Sequence, residues 1–305
     1  MKRSMPTLKR SARLVLALLA LSPLAPAFAQ DAYPTAEAAA DAFVAAVEKR
    51  DEPAMKKVLG AQWRDYIPAG SVDQDDIDAF LAQWKQSHRV QADGAKAQVA
   101  VGNEGWTLPI PLRQDKAGWR FDTKAGAEEM RVRRIGRNEL AVLQAVQAYR
   151  DAQLDYAESD HDGDGVLEYA QRILSSDGAH DGLYWPDDGS GDVSPLGPLF
   201  GDDLPKGDYL GYRYRILTAQ GPSAPGGARD YRIGDRMTRG FALVAWPAKY
   251  NDTGVMSFMI GTDGQVFEKD LGPNGEAQAK AMKSFDPDSS WTEAKDDATA
   301  VTATK

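Results

Sequence analysis

Residues 159–171 carry the residue types and spacing that most clearly suggest specific chemistry. Asp160, Asp162 and Asp164 alternate along this segment, and Gly165 follows directly. Alternate positions of a tight turn point their side-chain oxygens inward, the glycine permits a sharp bend, and a hard divalent cation requires several such oxygens at once. The spacing therefore predicts a calcium-binding loop.

Two further residues, both C-terminal to the glycine, complete the predicted ligand set. Val166 would offer its backbone carbonyl, and Glu168 would offer its carboxylate. The twelfth position of such a loop usually holds a bidentate glutamate, but here it is Gln171, so Glu168 has to close the site. We therefore expect a modest affinity, roughly 10⁻⁴ to 10⁻³ M, as in extracellular calcium modules.

Two alternatives compete with calcium at this loop. The aspartates can instead cap a helix predicted over residues 167–174, because carboxylates are favourable near a helix N-terminus. The second alternative is zinc, bound by His161 and His180 with Asp177 and Asp181 nearby. The two histidines lack the close spacing typical of zinc motifs, so calcium and the helix cap remain the two leading interpretations.

A long helix is predicted to lead into the acidic loop. A charged segment at residues 128–134 precedes a run of apolar residues at helical spacing over residues 138–158. Arg133 and Arg134 in the charged segment suggest either an anion site or a solvated helix face. The helix ends where the aspartates begin, so it should position the loop.

The segment after the acidic loop is predicted to form a second, long loop and then a sheet. Residues 176–208 are rich in Gly, Asp and Pro and predict a long loop, which the following side chains should anchor: Trp185, Leu196, Leu199 and Phe200. Residues 212–216, 241–246 and 255–260 predict strands, and Asp263-Gly264 predicts a tight hairpin. We expect one antiparallel sheet packed on the long helix.

The N-terminal part is predicted to place helices before a small sheet. Thr35 is a natural N-cap for a helix over residues 35–50, and Pro53 suits the first turn of a helix that ends at Leu59. Ser71 and Gln74 have capping-box spacing for a third helix. Short extended runs then predict strands, at residues 97–101, 105–112 and 118–122.

Catalytic motifs are scarce in this sequence. It contains no Cys, no Gly-x-Ser-x-Gly elbow and no Ser-x-x-Lys pair, which removes thiol chemistry and the common serine nucleophiles. An acid-base pair of Asp65 and His88 in an N-terminal pocket would support a hydrolase-like enzyme. The competing interpretation is that both residues lie on the surface.

The first 29 residues have the features of a secretory signal peptide. Basic residues precede an apolar run at residues 14–21, and Ala27-Phe28-Ala29 forms a cleavage site before Gln30. Cleavage removes five basic residues and no acidic ones, so the formal charge falls from −9 to −14. An acidic surface repels phosphate backbones and anionic headgroups, which argues against nucleic acid and membrane partners.

Several runs in the C-terminal half resemble a bacterial exported family, domain of unknown function 2950. These runs start at Tyr209 (Tyr-Leu-Gly-Tyr-Arg-Tyr-Arg-Ile-Leu-Thr-Ala-Gln-Gly-Pro), Pro225 (Pro-Gly-Gly-Ala), Met237 (Met-Thr-Arg-Gly-Phe-Ala-Leu-Val-Ala-Trp-Pro-Ala), Gly254 (Gly-Val-Met) and Lys269 (Lys-Asp-Leu-Gly-Pro). The resemblance extends over nearly all the mature chain, and it implies no particular activity.

Two weaker resemblances concern the fold. Residues 35–125, with Trp106 and Trp119, resemble the cone-like domains of the nuclear-transport-factor-2-like and cystatin-like classes. The long helix and Tyr-rich sheet resemble the globular heads of type IV pilins and pseudopilins. Pilins keep a hydrophobic N-terminal helix for assembly, whereas the hydrophobic segment here is a cleavable signal, so a fibre subunit is not expected.

These observations predict an α+β protein with a small cone-like N-terminal domain and a long helix packed on a pilin-like antiparallel sheet. The predicted divisions are a signal peptide (1–29), an N-terminal domain (30–125), a helix-and-sheet domain (126–293) and a disordered tail (294–305). We expect a periplasmic, non-catalytic protein that binds or scaffolds an unidentified envelope component or protein. The loops around Trp185 and residues 221–229 would make the contacts; the alternative is the hydrolase-like enzyme.

Overall fold

The chain is described by a computed structural model, which covers residues 30–187, 189, 191–197 and 207–295. These residues form two compact units, divided between Lys124 and Ala125. The predicted signal peptide lies outside the described residues, as do Leu199 and Phe200. The predicted tail is described only at its start, where Ala294 donates its N–H to the Val266 carbonyl at 2.9 Å.

The N-terminal unit opens with helices whose starts follow the expected capping chemistry. Four helices are described, namely α1 (Ala36–Glu48), α2 (Glu52–Leu59), α3 (Trp63–Tyr66) and α4 (Gln74–Gln86). The Thr35 side chain accepts a hydrogen bond from the N–H of Ala38 at 3.1 Å, which confirms the predicted N-cap of α1. Asp51 caps α2 in the same way, with Pro53 in its first turn.

The start of α4 differs from the prediction. The helix begins at Gln74, and Asp73 at its N-cap makes no side-chain hydrogen bond to the helix. Ser71 does not form the predicted capping box, because its hydroxyl donates instead to the Pro68 carbonyl at 2.8 Å. A serine hydroxyl that bonds to a nearby turn carbonyl competes with capping, and here the turn wins.

The sheet of the N-terminal unit is antiparallel and contains one strand that sequence did not predict. Its strands are β1 (His88–Asp93), β2 (Lys96–Val101), β3 (Trp106–Thr107), β4 (Leu112–Asp115) and β5 (Gly118–Phe121). They lie in the order β1-β2-β4-β5, and β3 pairs with β2. The predicted strand at residues 105–112 is largely wrong, since only its two ends are extended. β1 went unpredicted because Val90 is its one partly buried residue, so it lacks apolar alternation.

A helix of 34 residues, α5 (Thr123–Tyr156), opens the C-terminal part and starts well before the predicted residue 138. The charged segment belongs to this helix, because Glu128 pairs with Arg131 and Glu129 pairs with Arg133 at helical spacing. Arg134 forms an ion pair with Asp252. Carboxylates of the protein thus neutralise these arginines, which favours the helix-face interpretation over an anion site.

The main sheet of the C-terminal unit has five antiparallel strands. The strands after α5 are β6 (Tyr212–Leu217), β7 (Ala219–Gln220), β8 (Arg229–Asp230), β9 (Arg232–Ile233), β10 (Arg236–Met237), β11 (Ala242–Pro247), β12 (Met256–Gly261), β13 (Val266–Asp270) and β14 (Thr292–Glu293). The main sheet has the order β14-β13-β12-β11-β6, while β7 pairs with β8 and β9 pairs with β10. The predicted hairpin at Asp263-Gly264 is confirmed between β12 and β13. A short helix, α6 (Gly275–Ala281), follows β13.

The buried face of α5 packs on this sheet. Val142, Val146 and Tyr149 of the helix belong to one apolar core with Ala242 and Leu243 of β11. The Tyr149 hydroxyl donates to the Ala242 carbonyl at 3.2 Å, which gives this buried polar group a partner. The predicted α+β class, with its long helix and C-terminal antiparallel sheet, is confirmed. No helix among the described residues combines the length and the apolar character that crossing a bilayer requires.

Candidate functional site

The predicted calcium loop directly follows α5. Asp160, Asp162 and Asp164 are exposed, and each places a carboxylate oxygen within 4.8 Å of the others. Because calcium–oxygen bonds are about 2.4 Å long, oxygens up to about 4.8 Å apart can share one ion. The structure therefore brings together the side chains predicted for the first, third and fifth ligand positions.

Backbone N–H groups of the loop hold these carboxylates in place. Asp160 accepts hydrogen bonds from Gly163 and Gly165, both at 2.8 Å. The two glycines have φ values of 74° and 86°, which glycine adopts at little cost and other residues rarely do. Asp164 similarly accepts from the Val166 N–H at 2.9 Å. The N–H of Gly165 is the main cause that lowers the pKa of Asp160, so the carboxylate is stabilised as an anion.

Glu168, the other predicted carboxylate ligand, lies in the loop but is not part of the carboxylate cluster. Glu168 accepts a 3.3 Å hydrogen bond from the Met237 N–H of β10, and Gln171 donates to the Asp235 carbonyl. Burial first, and then the charges of Asp162 and Asp164, raise the pKa of Glu168. That carboxylate is thus close enough to the aspartates to be repelled by them, a repulsion that a cation would relieve. The predicted role of the Val166 carbonyl stays a prediction.

One cation of the protein already contacts the loop. Arg236, in β10, forms an ion pair with Asp164, and their side chains are 42% and 26% exposed. The pair links the acidic loop to the β9–β10 hairpin. Sequence gave no indication of this contact, because the two residues are far apart in the chain and single charges in an acidic protein have no distinctive pattern.

The helix-cap alternative is wrong, because residues 167–174 do not form a helix. The backbone of Ala170 is bound instead by Gln153 of α5, whose side chain accepts from the Ala170 N–H at 2.9 Å and donates to its carbonyl at 2.8 Å. Tyr169 donates its N–H to the Met237 carbonyl at 2.8 Å. These tertiary bonds hold the segment in a non-helical conformation, so the aspartates have no helix N-terminus to cap.

The two histidines of the zinc alternative do meet, but at a different carboxylate from those predicted. His161 and His180 lie with Asp192, and ligand atoms of the three residues are within 4.8 Å of one another. The Nδ1 atoms of His161 and His180 lie 3.8 Å and 2.9 Å from Oδ2 of Asp192. Asp181 instead accepts hydrogen bonds from Ser176. Sequence missed Asp192 because nothing in a loop rich in Gly and Asp distinguishes one acid from the next.

The acid-base pair of the enzyme alternative is not formed in the described residues. His88 stacks on Trp84, with ring centroids 3.8 Å apart and an angle of 6°, and its Nδ1 lies 2.9 Å from the Trp84 carbonyl oxygen. Asp65 is exposed on α3, and no hydrogen bond or ion pair joins it to His88. The structure therefore gives this pair no catalytic geometry.

A cleft of about 270 Å³ opens in the C-terminal unit. It lies beside the segment at residues 221–229, a predicted contact region. Its walls come from several parts of the fold: Gln220, Pro225, Arg229, Tyr231, Thr262, Asp263 and Phe285. The floor is aromatic, since Tyr231 and Phe285 are 1% and 2% exposed. The guanidinium of Arg229 lies 5.8 Å from the centroid of the Tyr231 ring.

Most polar groups of the cleft are engaged in holding the backbone. The Gln220 amide donates to the carbonyls of Pro225 and Gly227 at 2.7 Å and 2.6 Å. The Thr262 hydroxyl donates to the Phe241 carbonyl at 3.1 Å and accepts from its N–H at 3.0 Å. Burial raises the pKa of Tyr231 to about 12, so its hydroxyl stays protonated. None of these groups is prepared to act as a nucleophile or a base.

Comparison with known proteins identifies one family. A family model described as protein of unknown function (DUF2950) matches residues 30–294. No curated protein and no solved structure matches the chain. The resemblance to this family is confirmed, whereas the weaker resemblance to pilin heads is not. The chain belongs to the DUF2950 family of proteins of unknown function.

Proposed function

We propose that this is an exported, periplasmic protein that binds a component of the cell envelope without catalysis, and that the cleft beside Arg229 is its binding site. The observation that carries the proposal is the state of the groups in the cleft. A preformed concave site that combines aromatic side chains with placed polar groups is typical of ligand binding. Catalysis would require a nucleophile beside a base, whereas Gln220 and Thr262 are engaged in backbone hydrogen bonds and the Tyr231 hydroxyl stays protonated.

The charges at the cleft indicate the class of ligand. Arg229 brings a cation to the cleft, and the nearly buried rings of Tyr231 and Phe285 form its apolar lining. Asp263 is a second charged group in the lining, and it accepts a 3.2 Å hydrogen bond from the N–H of Gln265. A small group with an apolar body and an adjacent anion would contact both the aromatic floor and the guanidinium. A cleft of this size accommodates a side chain or a headgroup of an envelope component, not a whole polymer.

The test uses a probe with this chemistry, 8-anilinonaphthalene-1-sulfonate, which has an aromatic body and one sulfonate. We expect the folded protein to bind the probe with enhanced fluorescence and the variant Arg229→Gln to bind it at least about 10-fold more weakly, because a charge-assisted contact contributes about 1.5–3 kcal/mol. Asp263→Asn should strengthen binding, since it removes a like charge.

Arg232→Gln is the matched control. Arg232 lies in β9, pairs with Asp230 and does not line the cleft. Equal probe binding by the Arg229 and Arg232 variants would show that the cleft is not the site. Turnover of a chromogenic ester or phosphate that is lost in either variant would contradict the non-catalytic part of the proposal.

The acidic loop has a structural role in this proposal. Calcium would be bound by Asp160, Asp162 and Asp164, with the Val166 carbonyl and Glu168 completing the set. The proposal is supported by the clustering of the three carboxylates. The pKa of Glu168 is raised mainly by burial and also by the charges of Asp162 and Asp164, which a cation would offset. The ion would fix the end of α5 to the segment that follows it.

Calcium binding is tested by thermal melting. At the predicted affinity, 10 mM calcium should stabilise the folded protein by about 1.4–2.7 kcal/mol, through preferential binding to the native state. Magnesium, which dehydrates less readily and needs stricter geometry, should have less effect at the same concentration. A melting temperature that does not change with calcium would remove the ion from the proposal and leave the cleft unaffected.

Export is tested separately. Expression of the full chain in a bacterium, followed by cell fractionation and N-terminal sequencing, should place the mature protein in the periplasm with Gln30 as its first residue. A mature protein that starts at Met1 in the cytoplasm would contradict the predicted signal peptide.

A further inference from the structure

Two of the three histidines of the chain meet at one carboxylate. Oδ2 of Asp192 lies 2.9 Å from Nδ1 of His180 and 3.8 Å from Nδ1 of His161. Ligands of a tetrahedral zinc ion, with bonds of about 2.05 Å, are about 3.3 Å apart, and the two distances bracket this value. We propose that His161, His180 and Asp192 form a binding site for a divalent transition-metal ion of the zinc type, distinct from the acidic loop.

The hydrogen bonding of His161 leaves a lone pair that faces the carboxylate. Its Nε2 lies 3.0 Å from the Tyr156 carbonyl oxygen, which can only accept, so Nε2 carries the hydrogen. In the neutral ring Nδ1 then has the lone pair, and this lone pair faces the electron-rich Oδ2 of Asp192. A metal ion between the two atoms converts this repulsion into coordination, in the tautomer that a metal-binding histidine needs.

Aromatic stacking fixes the orientation of both imidazole rings. The ring of His161 stacks on Tyr156, with centroids 4.1 Å apart and an angle of 23°. The ring of His180 stacks on Trp185, with centroids 4.2 Å apart and an angle of 13°. Trp185 also meets the ring of His161 edge-on at 5.5 Å. Rings held in this way lose little freedom when they bind a metal, which favours affinity.

Tyr156 and Trp185 also form hydrogen bonds to the backbone of His180 and Asp192. The Tyr156 hydroxyl donates to the His180 carbonyl at 2.9 Å, and the Trp185 indole N–H donates to the Asp192 carbonyl at 3.1 Å. Each ligand residue is therefore fixed by a partner outside the ligand set. Supporting bonds of this kind orient the ligands in metal sites.

Exposure and ligand type indicate which metals the site accepts. The side chains of His161, His180 and Asp192 are 9%, 20% and 46% exposed, so the carboxylate lies at the open side. Imidazole suits zinc and its neighbours in the first transition row, whereas calcium prefers oxygen ligands alone. Three protein ligands leave a coordination position for water at the open side.

The test is an isothermal titration of the protein with zinc chloride. The variants His161→Gln and His180→Gln should each bind zinc at least about 100-fold more weakly, since loss of a mere supporting residue already costs 10- to 100-fold. His88→Gln is the matched control, because His88 is the third histidine and lies in the other unit. Asp162→Asn tests the acidic loop, and zinc affinity should not change in it.

A measurement on the unaltered protein guards against variants that fail to fold. In nuclear magnetic resonance spectra, zinc should shift the ring signals of His161 and His180 and leave those of His88 in place. Cobalt should give the visible absorption of a four-coordinate ion. Equal shifts at all three histidines, or zinc affinity unchanged in both cluster variants, would overturn the proposal. Loss of zinc binding in Asp162→Asn would also overturn it, because the ion would then belong to the acidic loop.

Discussion

The acidic loop and the histidine cluster meet at residues 160–162 but are built in opposite ways. In the loop, Asp160, Asp162 and Asp164 are exposed, and the backbone of the same loop holds them. In the cluster, the rings are packed against Tyr156 and Trp185, and the ligands come from distant segments. His161 lies between Asp160 and Asp162 in sequence, yet its side chain belongs to the cluster.

This difference predicts that ion binding at the two sites depends on folding to different extents. A site made by neighbouring residues forms wherever its turn forms, so its stability depends little on the rest of the protein. A site made by distant segments exists only when the core around it is packed, so its binding reports on folding. The two sites also differ in metal preference, because the loop offers oxygen ligands and the cluster offers two imidazoles.

Trp185→Ala should have the largest effect, and of the two sites it should act on the histidine cluster alone. Trp185 is 4% exposed and contacts both cluster histidines, so we expect the free energy of unfolding in urea, followed by circular dichroism, to fall by about 3–5 kcal/mol. Zinc binding should be lost, while stabilisation by calcium should remain. Leu243→Ala, in the sheet core, controls for general destabilisation and should keep both responses. A simultaneous loss of the calcium response in Trp185→Ala would show that the loop also depends on the core.

Asp160→Ala should abolish calcium binding by the loop and leave zinc binding by the cluster unchanged. Its carboxylate is the acceptor for Gly163 and Gly165, so the melting temperature should fall by a few degrees and the calcium response should disappear. Because these bonds lower the pKa of Asp160, its stabilising contribution is present above the unfolded-state pKa and is lost as the pH falls through the folded value. The difference between variant and parent should therefore vanish in acid.

Asp155→Ala is the control for this change. Asp155 is exposed in the last turn of α5, one residue before its end. Its substitution by alanine removes the same charge as Asp160→Ala. If Asp155→Ala reduced the calcium response as much as Asp160→Ala, net charge and not the loop geometry would explain the effect.

Glu168→Gln should change the melting temperature by a smaller amount and in the opposite direction. Burial and the charges of Asp162 and Asp164 raise the pKa of Glu168, so ionised Glu168 destabilises the fold as the pH rises through this pKa. Glutamine can still accept from the Met237 N–H and has no charge. We expect a higher melting temperature at neutral pH without calcium, no gain below the unfolded-state pKa, and a smaller calcium response. A lower melting temperature at neutral pH would contradict the assigned repulsion.

Arg236→Gln should give the smallest change in stability. Its ion pair with Asp164 is partly exposed, and such pairs contribute at most about 1 kcal/mol. The arginine competes with a cation for that carboxylate, so the variant should bind calcium several-fold more tightly in a titration, with zinc affinity unchanged. Weaker calcium binding would mean that Arg236 positions Asp164 for the ion.

The features that sequence predicted are those that neighbouring residues determine. Thr35 caps its helix and Asp263-Gly264 turns its hairpin because each needs only a few adjacent groups. The spacing of the three aspartates predicted their clustering for the same reason. The helix expected at residues 167–174 failed because Gln153 binds Ala170, and Asp192 was missed because the fold, not the local pattern, brings it to the histidines.

Gln153 also fixes the chain on either side of the acidic loop when the protein folds. It is fully buried and ties Ala170 to α5, so the chain between these residues is closed into a loop before any ion binds. The entropy of loop closure is therefore lost when the protein folds and does not weaken ion binding. Removing an ion should loosen only the turn within this loop and leave its two ends attached.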